Sequence, residues 1–258
     1  MNNGTFVNNH ARGRFENYGG VAYLSRNPEP SSGGTAEIST FTARNSTFRE
    51  NSAYSGGVAY LNYASTFTAT DSFFIANEAR YSCGVACIFT SLFEARNSTF
   101  LENSAGSTAG VASLKIGSKF SARNSSFINN RANESDAFWM STSSTLELFN
   151  GSFTTRPNVA AARHYVGDGT IYMALMRDLD LSMPLFDMNG AELFLYLTND
   201  DGSPDNDLAR IADGRGTVNV FHWTYPCGAG RFSVDGMEHS ETILDISGNS
   251  IDDNVSFF

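Results

Sequence analysis

Thr40-Phe41-Thr42-Ala43-Arg44-Asn45-Ser46-Thr47-Phe48-Arg49-Glu50-Asn51 decides the fold, because the chain writes it three more times. Residues 66–77 read TFTATDSFFIAN, 92–103 read LFEARNSTFLEN and 119–130 read KFSARNSSFINN. The second Phe of each unit falls at 48, 74, 100 and 127, giving spacings of 26, 26 and 27 residues. Self-similarity at a fixed period of this size marks a repeat array, in which each unit buries its apolar face against its neighbours.

The residues inside one unit separate the repeat classes. Phe41 and Ala43, Phe67 and Ala69, Phe93 and Ala95, and Phe120 and Ala122 alternate with polar residues, and a period of two belongs to a strand. No leucine-rich L-x-x-L-x-L pattern occurs, and the density of Gly, Asn, Ser and Thr disfavours helix. Strands over 40–44, 46–50 and 57–61 would make one triangular coil. The expected fold is therefore all-β, a right-handed, single-stranded parallel β-helix of about 26-residue coils, a solenoid of pectin-lyase-like geometry.

Stacking converts each repeat position into a column running along the solenoid. Phe48, Phe74, Phe100, Phe127 and Phe153 should form one internal aromatic stack, and Phe41, Phe67, Phe93, Phe120 and Leu146 a second. Asn45, Asp71, Asn97, Asn124 and Asn150 mark one corner, where Asn tolerates left-handed backbone. Asn51, Asn77, Asn103 and Asn130 mark another, with a stacked amide ladder expected there. The sequons at Asn45, Asn97 and Asn124 fall on the first corner, and the turn ladder accounts for them.

A glycine-led run recurs in each unit: Gly19-Gly20-Val21-Ala22-Tyr23-Leu24, Gly56-Gly57-Val58-Ala59-Tyr60-Leu61, Cys83-Gly84-Val85-Ala86-Cys87-Ile88 and Ala109-Gly110-Val111-Ala112-Ser113-Leu114, with a degraded copy at 135–140. The pairing of F-x-x-N (Phe6 to Asn9, Phe48 to Asn51, Phe74 to Asn77, Phe100 to Asn103, Phe127 to Asn130) with this run resembles the repeat of the chlamydial polymorphic outer-membrane proteins, written F-x-x-N and G-G-A-[ILV]. The departures are Val after the glycines, Cys83 and Ala109 for the first Gly, and Ser135-Asp136 for both. The resemblance covers residues 1 to about 153. It implies a β-helical passenger, a cell-surface or secreted location, and adhesion.

Charge divides the chain in two. Residues 1–153 carry 11 basic and 11 acidic side chains, whereas 154–258 carry 6 and 16, so the whole net charge of −10 lies in the C-terminal part. The expected organisation is regular β-helix over 1–153, with a Pro-containing loop insertion near 25–35, and an irregular acidic continuation with longer loops over 154–258. A separate β-sandwich is the alternative for the second region. An acidic surface without a Lys/Arg cluster repels phosphate, which disfavours nucleic acid as a partner. No apolar run reaches the roughly 18 residues of a membrane helix, so no integral membrane segment is expected. Because the sequence opens at the Phe6 to Asn9 corner, Met1 to Asn9 is expected either to meet a second copy end to end or to continue a parent chain.

Candidate chemistry is sparse. The column Tyr23, Tyr60, Cys87, Ser113, Trp139 varies in size and polarity while its neighbours stay apolar, which places it on the outer face. Tyr23, Tyr60 and Trp139 are then candidate ligand-binding residues for a protein or carbohydrate partner; the opposite register would make them core. Asp200, Asp201, Asp205 and Asp207 fall within eight residues, either a calcium site, the one cofactor reading, or a solvated acidic turn. Polygalacturonase-like enzymes pair aspartates with Gly-His-Gly and Arg-Ile-Lys; Asp200-Asp201 and Arg210-Ile211-Ala212 match only in part, and Arg163, His164, Asp168, Arg177 and Asp178 are not held to one face by their spacing. No catalytic residue is assigned. A surface scaffold is the leading expectation, and a lyase or hydrolase of acidic polysaccharide is the alternative. Cys83 and Cys87 on one strand would stand about 13 Å apart at roughly 3.3 Å per residue, too far for a disulfide, and with Cys227 they read as packed thiols.

Overall fold

The computed structural model describes residues 2–11, 17–25, 38–149, 151–154, 161–164 and 169–174, and beyond these the backbone of the strands between 179 and 242. One coil begins with Thr40–Arg44, turns at Asn45 into Thr47–Arg49, turns again into Ser52–Ser55, and closes through Ala59–Asn62. The next coil repeats the path as Thr66–Thr70, Phe73–Ile75, Glu78–Ser82 and Ala86–Phe89. Each strand pairs in parallel with its counterpart one coil away, Phe41 with Phe67 and Phe48 with Phe74 among them. The chain is thus an all-β parallel solenoid of about 26 residues per coil, with pectin-lyase-like geometry.

Among the described residues four sheets form. Strands of the first-Phe type belong to an eight-stranded sheet, those of the second-Phe type to a six-stranded one, and the glycine-led strands, with later strands of the chain, to a ten-stranded one. The fourth sheet is narrow, made of Ser52–Ser55, Glu78–Ser82 and Ser104–Ala105. The repeat predicts three strands per coil, and this fourth one is additional to them. Parallel pairing continues past Phe153 through Gly169–Ala174 and Ala191–Thr198 on one sheet and through Ala162–His164 and Leu179–Asp187 on another. Pro204–Asp213, Thr217–Thr224, Ala229–Val234 and Met237–Thr242 then pair antiparallel.

The two expected aromatic columns run through the core, beside Val58, Leu61, Val85, Ile88, Val111 and Leu114 of the glycine-led runs. Phe6, Phe48, Phe74, Phe100, Phe127 and Phe153 stack with centroids 4.7 to 5.0 Å apart, and Phe41, Phe67, Phe93 and Phe120 at 4.7 to 5.0 Å. Leu146 continues the second column in register with Phe120. Between columns the rings are tilted by 55 to 60°, so each ring presents its edge to one neighbour and its face to another. Full burial of each Phe contributes about 1.5–3 kcal/mol, and the repeat multiplies that gain.

The corners obey a finer rule than the sequence suggests. Asn45, Asp71, Asn97 and Asn124 adopt φ of 45 to 51°, as expected. At the second corner the left-handed residue is instead the one before the Asn: Glu50, Ala76, Glu102 and Asn129. The Asn itself is buried and serves the amide ladder. Asn77 Nδ2 donates to Asn103 Oδ1 at 2.9 Å and to the Phe48 carbonyl at 2.9 Å, while Asn77 Oδ1 accepts from the Asn51 backbone N–H and Nδ2. F-x-x-N is therefore a stacking device in which the Asn of one coil caps the Phe carbonyl of its neighbour.

The glycine pair divides its labour. Gly19 and Gly56 occupy left-handed backbone, at φ of 66° and 69°. The second glycine meets the adjacent coil: a Cβ on Gly57 would lie 2.2 Å from the Gly84 carbonyl oxygen, and one on Gly84 2.2 Å from that of Gly110. No side chain fits there.

Cys83 takes the first-glycine position and its left-handed backbone, at φ of 63°. This overturns the expectation of an extended 83–87 segment. The strand starts only at Ala86, the chain folds back through Gly84 and Val85, and the two Cα atoms come to 5.4 Å, within reach of a disulfide. Cys83 and Cys87 are so bonded. Cys227 lies outside the described residues.

Candidate functional site

Among the described residues, two surfaces bring polar and aromatic side chains together. The first lies on the glycine-led sheet. Tyr23, Tyr60, Cys87, Ser113, Trp139 and Arg163 form one register column. Its flanking residues Ala59, Leu61, Ala86, Ile88, Ala112 and Leu114 are fully buried, so strand alternation turns the column outward.

Along this column exposure is unequal, with Cys87 and Ser113 buried in the middle and Arg163 half-buried at the far end. Tyr23 is 53% exposed and Tyr60 partly so, whereas Trp139 is 8% exposed. Tyr60 stands among Tyr18 at 4.3 Å, Tyr23 at 5.5 Å and Phe89 at 5.2 Å between centroids. Lys115, two residues along the same strand face as Ser113, lays its ammonium 5.1 Å from the Phe89 ring and 5.5 Å from the Trp139 ring. The Trp139 indole N–H donates to Glu134 Oε2 at 2.8 Å. The structure thus brings Tyr23 and Tyr60 together with Tyr18 and Phe89, and links Trp139 to them through a cation held between two rings.

Burial sets the electrostatics of this strip. The Tyr60 hydroxyl is pushed up to about 12, first by desolvation and then by the neighbouring Tyr18, Tyr23 and Tyr63. Lys115 is held below the ordinary lysine value by desolvation, against which the Glu134 carboxylate works. On the same strand face, the Ser113 hydroxyl is fully buried and without a hydrogen-bond partner among the described residues.

The second surface is the narrow sheet. His10, Ser52, Glu78, Ser104 and Arg131 share one register column. Tyr54, Arg80 and Asn133 stand beside it, past the inward Ala53, Ala79 and Ala132. Two adjoining depressions of about 460 and 340 Å³ share Glu78 and Arg80. His10 Nδ1 and Ser52 Oγ are hydrogen-bonded at 2.6 Å. Glu78 is the carboxylate of the lining, and among the described residues neither it nor Arg80 nor Arg131 enters an ion pair.

No family model, curated protein or solved structure matches the chain. Asp200 and Asp201 lie outside the described residues, and Asp205 and Asp207 fall in the strand Pro204–Asp213, whose side chains are likewise outside them. Among the described residues no three His, Cys, Asp or Glu side chains gather to hold a metal ion, and no helix is long and apolar enough to cross a membrane. Arg163 and His164 lie in the strand Ala162–His164, opposite Trp139 and Met140; Asp168, Arg177 and Asp178 lie outside the described residues.

Sequence reasoning missed the narrow-sheet groove. Its signal was present: each corner Asn is followed by a polar residue and then Ala, as in Asn9-His10-Ala11, Asn51-Ser52-Ala53, Asn77-Glu78-Ala79, Asn103-Ser104-Ala105 and Asn130-Arg131-Ala132. The fixed Ala is the inward residue of a short strand, and the variable polar residue is the outward one.

Proposed function

We propose that the chain is a non-catalytic extracellular or cell-surface scaffold that engages a protein or carbohydrate surface through the strip Tyr18, Tyr23, Tyr60 and Phe89. The observation that carries this reading is the clustering of these rings on the outer face of a flat sheet, where aromatic planes can stack on sugars or partner side chains. The F-x-x-N and glycine-led motifs add to it. They resemble those of the chlamydial polymorphic outer-membrane proteins, and we read the chain as built on the same kind of adhesive passenger repeat. The Cys83–Cys87 bond supports an oxidising location, since disulfides persist outside the reducing cytosol.

The test uses the full chain. Beads coated with it are presented to glycan-bearing cells and to an array of immobilised glycans, alongside a Tyr23→Ser/Tyr60→Ser double variant whose folding is checked by circular dichroism. Retention by the unaltered chain that falls about tenfold in the variant is expected, since two lost stacking contacts of this kind are together worth about 1–3 kcal/mol. Release of unsaturated or reducing ends from acidic polysaccharide by the unaltered chain would overturn the scaffold reading in favour of an enzyme.

A further inference from the structure

We infer that the narrow-sheet groove is a second binding site, separate from the aromatic strip, and that it takes an extended carboxylated oligosaccharide lying along the solenoid axis. Its shape comes first. From His10 to Arg131 the lining column crosses four coil spacings, about 19 Å at roughly 4.8 Å per step, and it is open to solvent along its length. An extended polymer, rather than a compact ligand, matches a lining spread over four coil spacings.

The chemistry of the lining selects the polymer. Arg80 and Arg131 are exposed and free of ion pairs among the described residues, so both guanidinium forks are available to carboxylates. Arg80 lies at the junction of the two depressions, and Arg131 lines the far one. Ser52, Ser104, Asn133 and Glu78 supply donors and acceptors of the kind that sugar hydroxyls need. Tyr54 and Tyr81 stack on one another at 5.6 Å and 11°, with Tyr81 52% exposed, and this gives a ring face to an apolar sugar face.

The same features disfavour other polyanions. Two arginines on a chain of net charge −10 make a poor counterion-releasing surface for nucleic acid. An acidic peptide strand would look for alternate side-chain pockets beside a sheet edge, whereas the groove runs across the strands of the sheet.

The experiment is calorimetric titration of the full chain with a short oligogalacturonate, with its fully methyl-esterified form, and with polyglutamate. Binding of the free acid is expected, at least tenfold tighter than that of the ester or of polyglutamate, and weakening as salt rises. Arg80→Gln and Arg131→Gln should each weaken it about tenfold, the loss of one charge-assisted contact. Arg44→Gln, at an exposed arginine on another sheet, and the Tyr23→Ser/Tyr60→Ser variant should leave it unchanged. The inference fails if acid and ester bind alike, if polyglutamate binds as tightly as the oligogalacturonate, if the oligogalacturonate does not bind, or if the groove arginine variants bind as the unaltered chain does. Because the two surfaces are tested by different variants, the groove can fail while the aromatic strip stands.

Discussion

Asn77 and Asn103 share one oxygen: Asn103 Oδ1 accepts both the Asn77 side-chain amide at 2.9 Å and the Asn77 backbone N–H at 3.0 Å, all of it buried. Replacing Asn103 with Ala orphans the Asn77 backbone N–H and one of the two Asn77 Nδ2 hydrogens, the other keeping the Phe48 carbonyl, and takes one donor from the Phe74 carbonyl. Each orphaned group costs about 1–3 kcal/mol. Asn103→Ala should therefore lose about 3 kcal/mol or more in urea unfolding, whereas Asn97→Ala, at the exposed left-handed corner, should lose about 1 kcal/mol.

Gly84 and Gly117 separate crowding from backbone strain. A Cβ on Gly84 would lie 2.2 Å from the Gly110 carbonyl oxygen and 2.8 Å from the Ser104 backbone, so adjacent coils would have to part. At Gly117 a Cβ meets nothing within 4 Å, and only the φ of 65° resists it. Gly117→Ala should cost about 1–2 kcal/mol. Gly84→Ala should cost well over 4 kcal/mol, or prevent accumulation of folded protein, as read by thermal melting and soluble yield.

How far the sequence disclosed this architecture depended on whether a residue's role repeats. Phe48 and Phe74 announce their column because period two and period 26 act together, and the two aromatic stacks formed as the sequence indicated. The narrow sheet escaped notice since Ser52, Glu78, Ser104 and Arg131 share no chemistry; only the inward Ala53, Ala79, Ala105 and Ala132 repeat, and Ala is too common to stand out. Tyr23, Tyr60 and Trp139 were placed on one column correctly by register. Their unequal exposure was not legible, because it depends on Lys115 and Glu134, which meet Trp139 only after coils stack.

Cys83 and Cys87 close a very short loop. Constraining so few residues is worth about 2 kcal/mol in the chain-entropy description, and Cys83 carries left-handed backbone at a position filled by Gly in two other coils. Under denaturing conditions without reductant, thiol titration should find one reactive cysteine per chain, Cys227, rising to three after reduction. Cys87→Ser removes the bond and keeps a strained Cys83, so it should cost about 2 kcal/mol in urea unfolding. A Cys83→Gly/Cys87→Ser double variant should recover about 1 kcal/mol of that loss, because glycine adopts this backbone without penalty.

Lys115 and Tyr60 should pull stability in opposite directions at alkaline pH. The folded state binds the Lys115 proton less tightly than the unfolded chain does, so between the lowered folded value and the ordinary lysine value near 10.5 the unfolded state holds more protons and stability rises with pH. Tyr60 does the reverse: from the ordinary value of 10.0 up to about 12 the folded state keeps a proton that the unfolded state has released, and stability falls. Site-resolved mass spectrometry of amine acylation should put the Lys115 midpoint below those of exposed lysines, and Glu134→Gln, which removes the opposing carboxylate, should lower it further. The tyrosinate absorbance titration of the chain should include one late component near pH 12 that disappears in Tyr60→Phe. A Lys115 midpoint equal to that of exposed lysines would contradict its placement between the Phe89 and Trp139 rings.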